Sequence, residues 1–304
     1  MTLDLVAFGT VFLEIVFGDV PSLPGPGEEV YSDEFAVSCG GAVIVASAAA
    51  RSGVRAGLST LLGDDLGSRV VADYCRRVGI DTSTSQRVTG RSAGITVVLN
   101  FDDERAFISY LPPRPASERR DTGRWLQVLR EQRPAWCYLH AGPAVLDFLR
   151  EARSIGTRVA LDVALNTIDK DPEAVIGCAR LADVFLPNTE ELLRLAGTRS
   201  LTAAVSEATT WCPQLVVKRG AHGAIVATWE GTTEVSEGML PVEVRDRTGA
   251  GDAFAGALIG ALCQGASIIA AAAAGNAAGS ETVGKLGGVG EVEVEGLSGE
   301  VPIR

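Results

Sequence analysis

Residues 242–265 read VEVRDRTGAGDAFAGALIGALCQG. A Gly249-Ala250-Gly251 run that enters a helix lets successive backbone N–H groups point into one hollow. The helix N-terminus adds partial positive charge, so the run makes a nest for a phosphate. Asp252 follows at once, and a carboxylate beside a bound anion is unfavourable unless it has a task of its own. Phosphoryl transfer supplies one: the aspartate takes the proton of an attacking hydroxyl while the N–H groups face the transferring group. A plain strand-to-helix turn with Asp252 as N-cap uses the same residues, and this stretch alone leaves both readings open.

Two other phosphate motifs fail. GSETVGKL at Gly279–Leu286 nearly matches a P-loop, but Leu286 stands where Ser or Thr must meet magnesium, and an Ala-rich helix precedes it. Gly9 at the end of the first strand is followed by TVFLE, with no GxGxxG, which argues against a dinucleotide site. Cys39, Cys75, Cys137, Cys178, Cys212 and Cys263 are scattered, and with only His140 and His222 to join them they offer neither a zinc spacing nor a CxxC pair. They read as buried thiols of a reducing compartment, and the cytoplasm is expected.

The elements that position the nest alternate. Leu5–Phe8, Gly57–Leu61, Trp136–His140, Arg158–Leu161, Val184–Leu186, Leu215–Val217 and Ala224–Thr228 read as strands, several apolar throughout as in a sheet covered on both faces. Helices are expected over Ala42–Ser52, Ser68–Val78, Thr122–Gln132, Ala144–Ile155, Asp171–Leu181, Glu190–Ala196, Leu201–Trp211 and from the nest onward, with Gly265 past the last helix's end. This rhythm predicts an α/β fold with a mostly parallel sheet. Two stretches break it: Val11–Phe35, with PSLPGPGEE, and Gly94–Tyr110, with a hairpin signal around an Asp-rich turn. Together they predict a small antiparallel sheet standing off the body as a lid, over about 11–37 and 88–112 of one domain spanning 1–304.

The 27 basic and 38 acidic residues give a net charge of -11, and the basic ones are scattered. That excludes a duplex-binding face and an anionic-membrane partner. The apolar stretch Ala266–Ala278 is too short to span a bilayer, so the expected partner is a small molecule.

Asp246-Arg247-Thr248-Gly249-Ala250-Gly251-Asp252-Ala253-Phe254 resembles the DTxGAGDxF motif of the PfkB, or ribokinase-like, carbohydrate kinases. The likeness runs from end to end. Gly40-Gly41 before an Ala-rich helix and Arg51-Ser52-Gly53, Leu62-Gly63-Asp64-Asp65-Leu66-Gly67, and Gly79-Ile80-Asp81 are similar to the family's earlier motifs in the same order. Pro187-Asn188-Thr189-Glu190-Glu191 resembles its NxxE motif, although composition alone makes this a helix N-cap.

The resemblance implies a three-layer ribokinase-like sandwich with a β lid, and ATP-dependent transfer of a phosphoryl group to a sugar-like hydroxyl. It implies Asp252 as base, Gly249, Ala250 and Gly251 as anion hole, and hydrated Mg2+ near Asn188 and Glu191. It also implies a nucleotide-side loop at Lys218, Gly220 and Gly223, with Thr248 and Asn276 towards the nucleotide, and a monovalent cation such as K+ at Asp246. On residue type alone, Lys218 and Arg219 are equally a solvated loop pair. Gly40, Gly41, Glu14 and Val45 fall on the acceptor side. There the chain departs from the family: Glu14 stands for the usual Asp, and Val45, which cannot hydrogen-bond, for the usual Asn. A nucleoside kinase on the same scaffold and a catalytically silent ligand-binding regulator are the alternatives, and exposed lid strands suit a homodimer.

Overall fold

The computed structural model describes residues 2–101, 104–113, 122–240 and 243–294. In chain order the first elements are β1 (Leu5–Phe8), β2 (Val11–Gly18), β3 (Glu34–Gly41), α1 (Ala42–Arg51), β4 (Ala56–Ser59), β5 (Leu61–Leu62), α2 (Leu66–Val78) and β6 (Gln86–Arg87). Then come β7 (Gly94–Phe101), β8 (Glu104–Tyr110), α3 (Thr122–Gln132), β9 (Trp136–His140), α4 (Leu146–Ser154), β10 (Arg158–Asp162), α5 (Leu165–Ile168), α6 (Pro172–Ala179) and β11 (Val184–Phe185). The last are α7 (Thr189–Leu195), α8 (Leu201–Ala208), β12 (Gln214–Lys218), β13 (Ala224–Thr228), β14 (Gly231–Val235), α9 (Ala250–Cys263) and α10 (Ile268–Val283).

Eight strands form the main sheet in the order β14-β13-β12-β11-β10-β9-β1-β4. Pairing is parallel from β12 through β4 and antiparallel at β12–β13–β14. Side chains alternate across a strand, so β1 sends Leu5 and Ala7 into one core and Val6 and Phe8 into the other. The first core holds Val45, Leu58, Phe254, Leu258 and Ile259 under α1, α2, α9 and α10. The second holds Leu139, Phe148, Leu149, Leu161, Leu192 and Leu215 under α3, α4 and α6–α8. Each such fully buried side chain contributes roughly 1.5–3 kcal/mol. This is the expected three-layer sandwich, and among the described residues no helix is long and apolar enough to cross a membrane.

Helix α9 crosses α1 at close range because both carry small residues. A Cβ on Gly260 would lie 2.7 Å from Ser52 Oγ, and one on Gly256 would collide with the Val45 carbonyl oxygen. The crossing lays the start of α9 beside α1 and the end of β3.

The second sheet runs β3-β2-β7-β8. It occupies the stretches expected for the lid, but it is mixed rather than antiparallel: β2 pairs with β7 in parallel, from Phe12↔Gly94 to Phe17↔Leu99. The parallel pair arises because the chain leaves the lid after β3, runs through α1 to β6 in the body, and re-enters by β7. The Asp-rich turn of the expected β7–β8 hairpin includes residues 102–103, outside the described residues, while the hairpin pairing itself is present. Other expectations shift locally. The strand expected over Gly57–Leu61 is split between β4 and β5, β14 and α5 were not foreseen, and residues 243–249 are irregular rather than strand-like. All six cysteines are free; five are buried and Cys263 is half-buried.

Candidate active site

Parallel strands end together, and whatever stands at their C-terminal edge faces one crevice. Here the edge carries polar residues at the ends of apolar strands: His140 closes β9, Asp162 closes β10, Lys218 closes β12. His140 and Asp162 are register partners, and Asn188, just past β11, bridges to Lys218.

The Tyr138 hydroxyl, buried with its ring, sits among two of these groups and Asp252 of α9. It lies 3.0 Å from His140 Nε2, 3.2 Å from Asp162 Oδ2 and 3.2 Å from Asp252 Oδ1. Lys218 Nζ donates to Asp162 Oδ2 at 2.7 Å, and its ammonium rests against the start of α9, 3.5 Å from where a Cβ on Gly251 would be. Lys218 is therefore not a solvated loop residue, and Arg219 too is engaged, with Glu234 at 3.0 Å. His140, Asp162 and Asp252 bring their ligand atoms within 4.8 Å of one another, but Lys218 and Tyr138 already partner them, so the group is a hydrogen-bonded network.

Burial raises the pKa of Asp252 and the Asp162 charge adds to it; His140, Lys218 and the Tyr138 hydrogen bond pull it back, and the balance is upward. A carboxylate of raised basicity at a crevice suits proton abstraction. Burial works against the Lys218 charge, yet Asp162, Glu191 and Asp252 outweigh it and hold the ammonium above its ordinary pKa.

Asp252 is not an N-cap. Gly249 is, at φ 76°, in the left-handed region that favours glycine, and Asp252 is the third residue of α9. No side chain caps this helix start, and the first N–H groups of a helix have no partner within it. The N–H groups of Ala250, Gly251 and Asp252 thus open beside the Asp252 carboxylate. A Cβ on Gly249 would meet Ile44 Cδ1 at 2.7 Å and Gly288 Cα at 2.8 Å, so the nest is also packed from behind.

Asn188 and Glu191 form a capping box on α7. Asn188 Oδ1 accepts from the Glu191 N–H at 2.9 Å, and Glu191 Oε2 accepts from the Asn188 N–H at 2.7 Å. The cap read from composition is therefore present, and Glu191 Oε1 remains. Burial raises the Glu191 pKa to about 7, against the pull of Lys218 and with Asp162 and Asp252 adding to the rise. Three carboxylates thus face one ammonium. That excess of negative charge on oxygen donors fits a hard dication such as Mg2+.

The other expected residues fall as follows. Glu14 is buried; its Oε2 accepts from the Gly288 N–H at 2.9 Å and its Oε1 lies against Gly40, where a Cβ has no room. Burial raises its pKa to about 7, opposed by the Gly288 hydrogen bond and assisted by the charges of Asp246 and Asp252, which places all three acids in one region. Gly41 caps α1, and Val45 is wholly buried in the core. Asp246 accepts from the Thr248 and Gly287 N–H groups, both at 2.8 Å. Thr248 Oγ1 is buried and has no hydrogen-bond partner among the described residues. Gly220 and Gly223 bound a short 3-10 turn after β12. Asn276 donates to the carbonyls of Val235 and Glu237, both at 2.9 Å, tying α10 to the segment after β14.

Sequence reasoning missed Tyr138, the site role of His140, and Asp162. Their signal was present: a polar residue closing an apolar, doubly covered strand has to be satisfied there or used there.

The family model described as pfkB family carbohydrate kinase matches residues 3–293. Aminoimidazole riboside kinase of Salmonella typhimurium is 29% identical over 71% of this chain and 70% of its own length. Adenosine kinase from Sinorhizobium meliloti superposes with a TM-score of 0.78 at 18% identity, covering 97% of each chain. Arabidopsis thaliana ribokinase complexed with ribose and ATP gives 0.75 at 23% identity, covering 93% of each. The architecture is thus the ribokinase fold. The chain belongs to the pfkB family of carbohydrate kinases, phosphotransferases that act on a hydroxyl group of a sugar or a nucleoside.

Proposed function

We propose that this protein transfers the γ-phosphoryl group of ATP to a hydroxyl of a sugar or sugar-like acceptor, with Asp252 as the base. The observation that carries the reading is the pairing of an uncapped helix start with a carboxylate of raised basicity in its first turn. Asp252 takes the hydroxyl proton as the oxygen attacks phosphorus. The N–H groups of the Gly249-Ala250-Gly251-Asp252 turn receive the charge that spreads over the transferring group. Tyr138 holds Asp252 Oδ1, leaving Oδ2 for the acceptor. Lys218 donates to Asp162 and brings a positive charge to the mouth of the nest. Asn188 and Glu191 Oε1 would hold hydrated Mg2+, which supplies charge neutralisation of the triphosphate.

On the acceptor side we place Gly40, Gly41 and the Oε1 edge of Glu14, without Val45, whose side chain is spent in the core between α1 and its neighbours; on the nucleotide side Lys218, Gly220, Gly223, Thr248 and Asn276. Asp246 with the Thr248 Oγ1, which has no partner among the described residues, is where a monovalent cation such as K+ would sit. The lid of β2, β3, β7 and β8 would close over the acceptor and exclude competing water. We also place the protein in the cytoplasm, on the strength of its free thiols.

A nucleoside acceptor on the same site is the second reading, favoured by likeness to kinases of riboside and adenosine. A catalytically silent regulator is disfavoured by the complete nest. The test is ADP release measured across sugars, sugar acids and nucleosides. Turnover is expected with at least one of them, and Asp252→Asn should lower kcat on the order of 10²-fold or more. Unchanged turnover in that variant would remove Asp252 as base, and absence of turnover on the whole panel would favour the regulator.

A further inference from the structure

Residues 285–290, KLGGVG, follow α10 and lie between the lid and the nest. Three consecutive N–H groups of this strap each reach a different partner. Gly287 donates to Asp246 Oδ2 at 2.8 Å, Gly288 to Glu14 Oε2 at 2.9 Å and Val289 to Ser38 Oγ at 3.3 Å. Glu14 and Ser38 are directly opposed on β2 and β3. Asp246 belongs to the loop that leads into the nest and also holds the Thr248 N–H. Between these anchors the strap backbone touches the nest backbone: Gly288 Cα is 2.8 Å from where a Cβ on Gly249 would be. Gly288 itself has no room for a side chain, because a Cβ there would collide with Ile44 Cδ1.

We infer that Glu14 is a positioning residue for the anion hole, bracing Gly249 through Gly288 and so coupling the lid strands to the phosphoryl-transfer centre. The inference rests on the kinase reading for its catalytic consequence but not for its structural one. A carboxylate accepting from a backbone N–H is a stronger anchor than a neutral acceptor. Glu is also one methylene longer than Asp, the reach needed for a β2 side chain to meet Gly288. Only Oε2 is spent this way; Oε1 faces Gly40.

Bracing and acceptor binding make different predictions. Glu14→Asp withdraws the carboxylate from Gly288. Amide hydrogen exchange should then quicken in segments 284–290 and 246–252. In steady-state kinetics kcat and acceptor-free ATP hydrolysis should fall together by about 10- to 100-fold, whatever change the displaced Oε1 brings to acceptor KM. Glu14→Gln keeps the length and an acceptor oxygen, and should fall between Glu14→Asp and the parent in both measurements. Exchange unchanged in both variants overturns the brace, whatever the kinetics. A raised acceptor KM with unaffected acceptor-free hydrolysis would make Glu14 an acceptor ligand only. Hydrogen exchange needs no turnover, so the brace can fail or stand separately from Asp252, whose own test is Asp252→Asn.

Discussion

Tyr138 has one hydroxyl proton and three neighbours within hydrogen-bonding distance. Two are carboxylates that accept when ionised, so the O–H can satisfy only one at a time. Asp162 has Lys218 as a second partner at 2.7 Å, and Asp252 gains most from the Tyr138 proton. Tyr138→Phe preserves the ring in its packed position and deletes that contact. A hydrogen bond to a charged group contributes about 1.5–3 kcal/mol, so kcat is expected to drop by roughly 10-fold or more with acceptor KM little changed. Steady-state kinetics at saturating ATP checks this; a change confined to KM would show that Tyr138 serves the acceptor and not the base. The nest was legible from sequence as a glycine-rich turn into a helix, and its reading as a phosphate site came from the likeness of the longer run Asp246–Phe254 to the family motif. Tyr138, His140 and Asp162 were not, because they come from different strands and acquire a shared task only when the sheet forms. Glu14 was expected as an acid on the acceptor side, but its bond to Gly288 spans 274 positions, beyond any local pattern.

At the scale of elements, the α1–α9 crossing sets where the nest lies. Small residues on both helices bring the backbones together, and the α9 glycines do so where a methyl group would strike carbonyl or hydroxyl oxygen. Gly256→Ala should cost roughly 1–3 kcal/mol by overpacking, read as a lower midpoint in urea unfolding. A variant as stable as the parent would mean that the helices can move apart freely. The strands and helices of the body were readable from period and length because each is covered on a fixed face. The lid was readable as two interruptions of the rhythm, but its pairing was not. Nothing within Val11–Phe35 or Gly94–Tyr110 states that β2 and β7 lie side by side in parallel, since that follows from the route of the chain through the body.

For the whole molecule, the lid leaves one face apolar and open. Val37, Ile15, Val97 and Ile108 form one row across it, and Phe35, Phe17 and Leu99 the next, with Phe35 57% and Ile108 68% exposed. A face of this kind suits burial against a second copy. We predict a dimer in sedimentation velocity at micromolar concentration, and a monomer for Ile108→Glu. A monomeric parent across that range would refute lid-mediated pairing.

The parallel partnership of β2 with β7 has a consequence for how the molecule comes into being. Residues that meet in this pair are about eighty positions apart, and the intervening chain includes α1, β4 and α2, which must settle on the body. The second sheet therefore cannot be completed ahead of the body elements that lie between its strands in sequence, nor cut out and grafted elsewhere as a self-standing hairpin. Contacts of such long range are slow to form, and a nascent chain gains this one only after residue 101 has been made. Until then β2 and β3 lack the strand that pairs beside them.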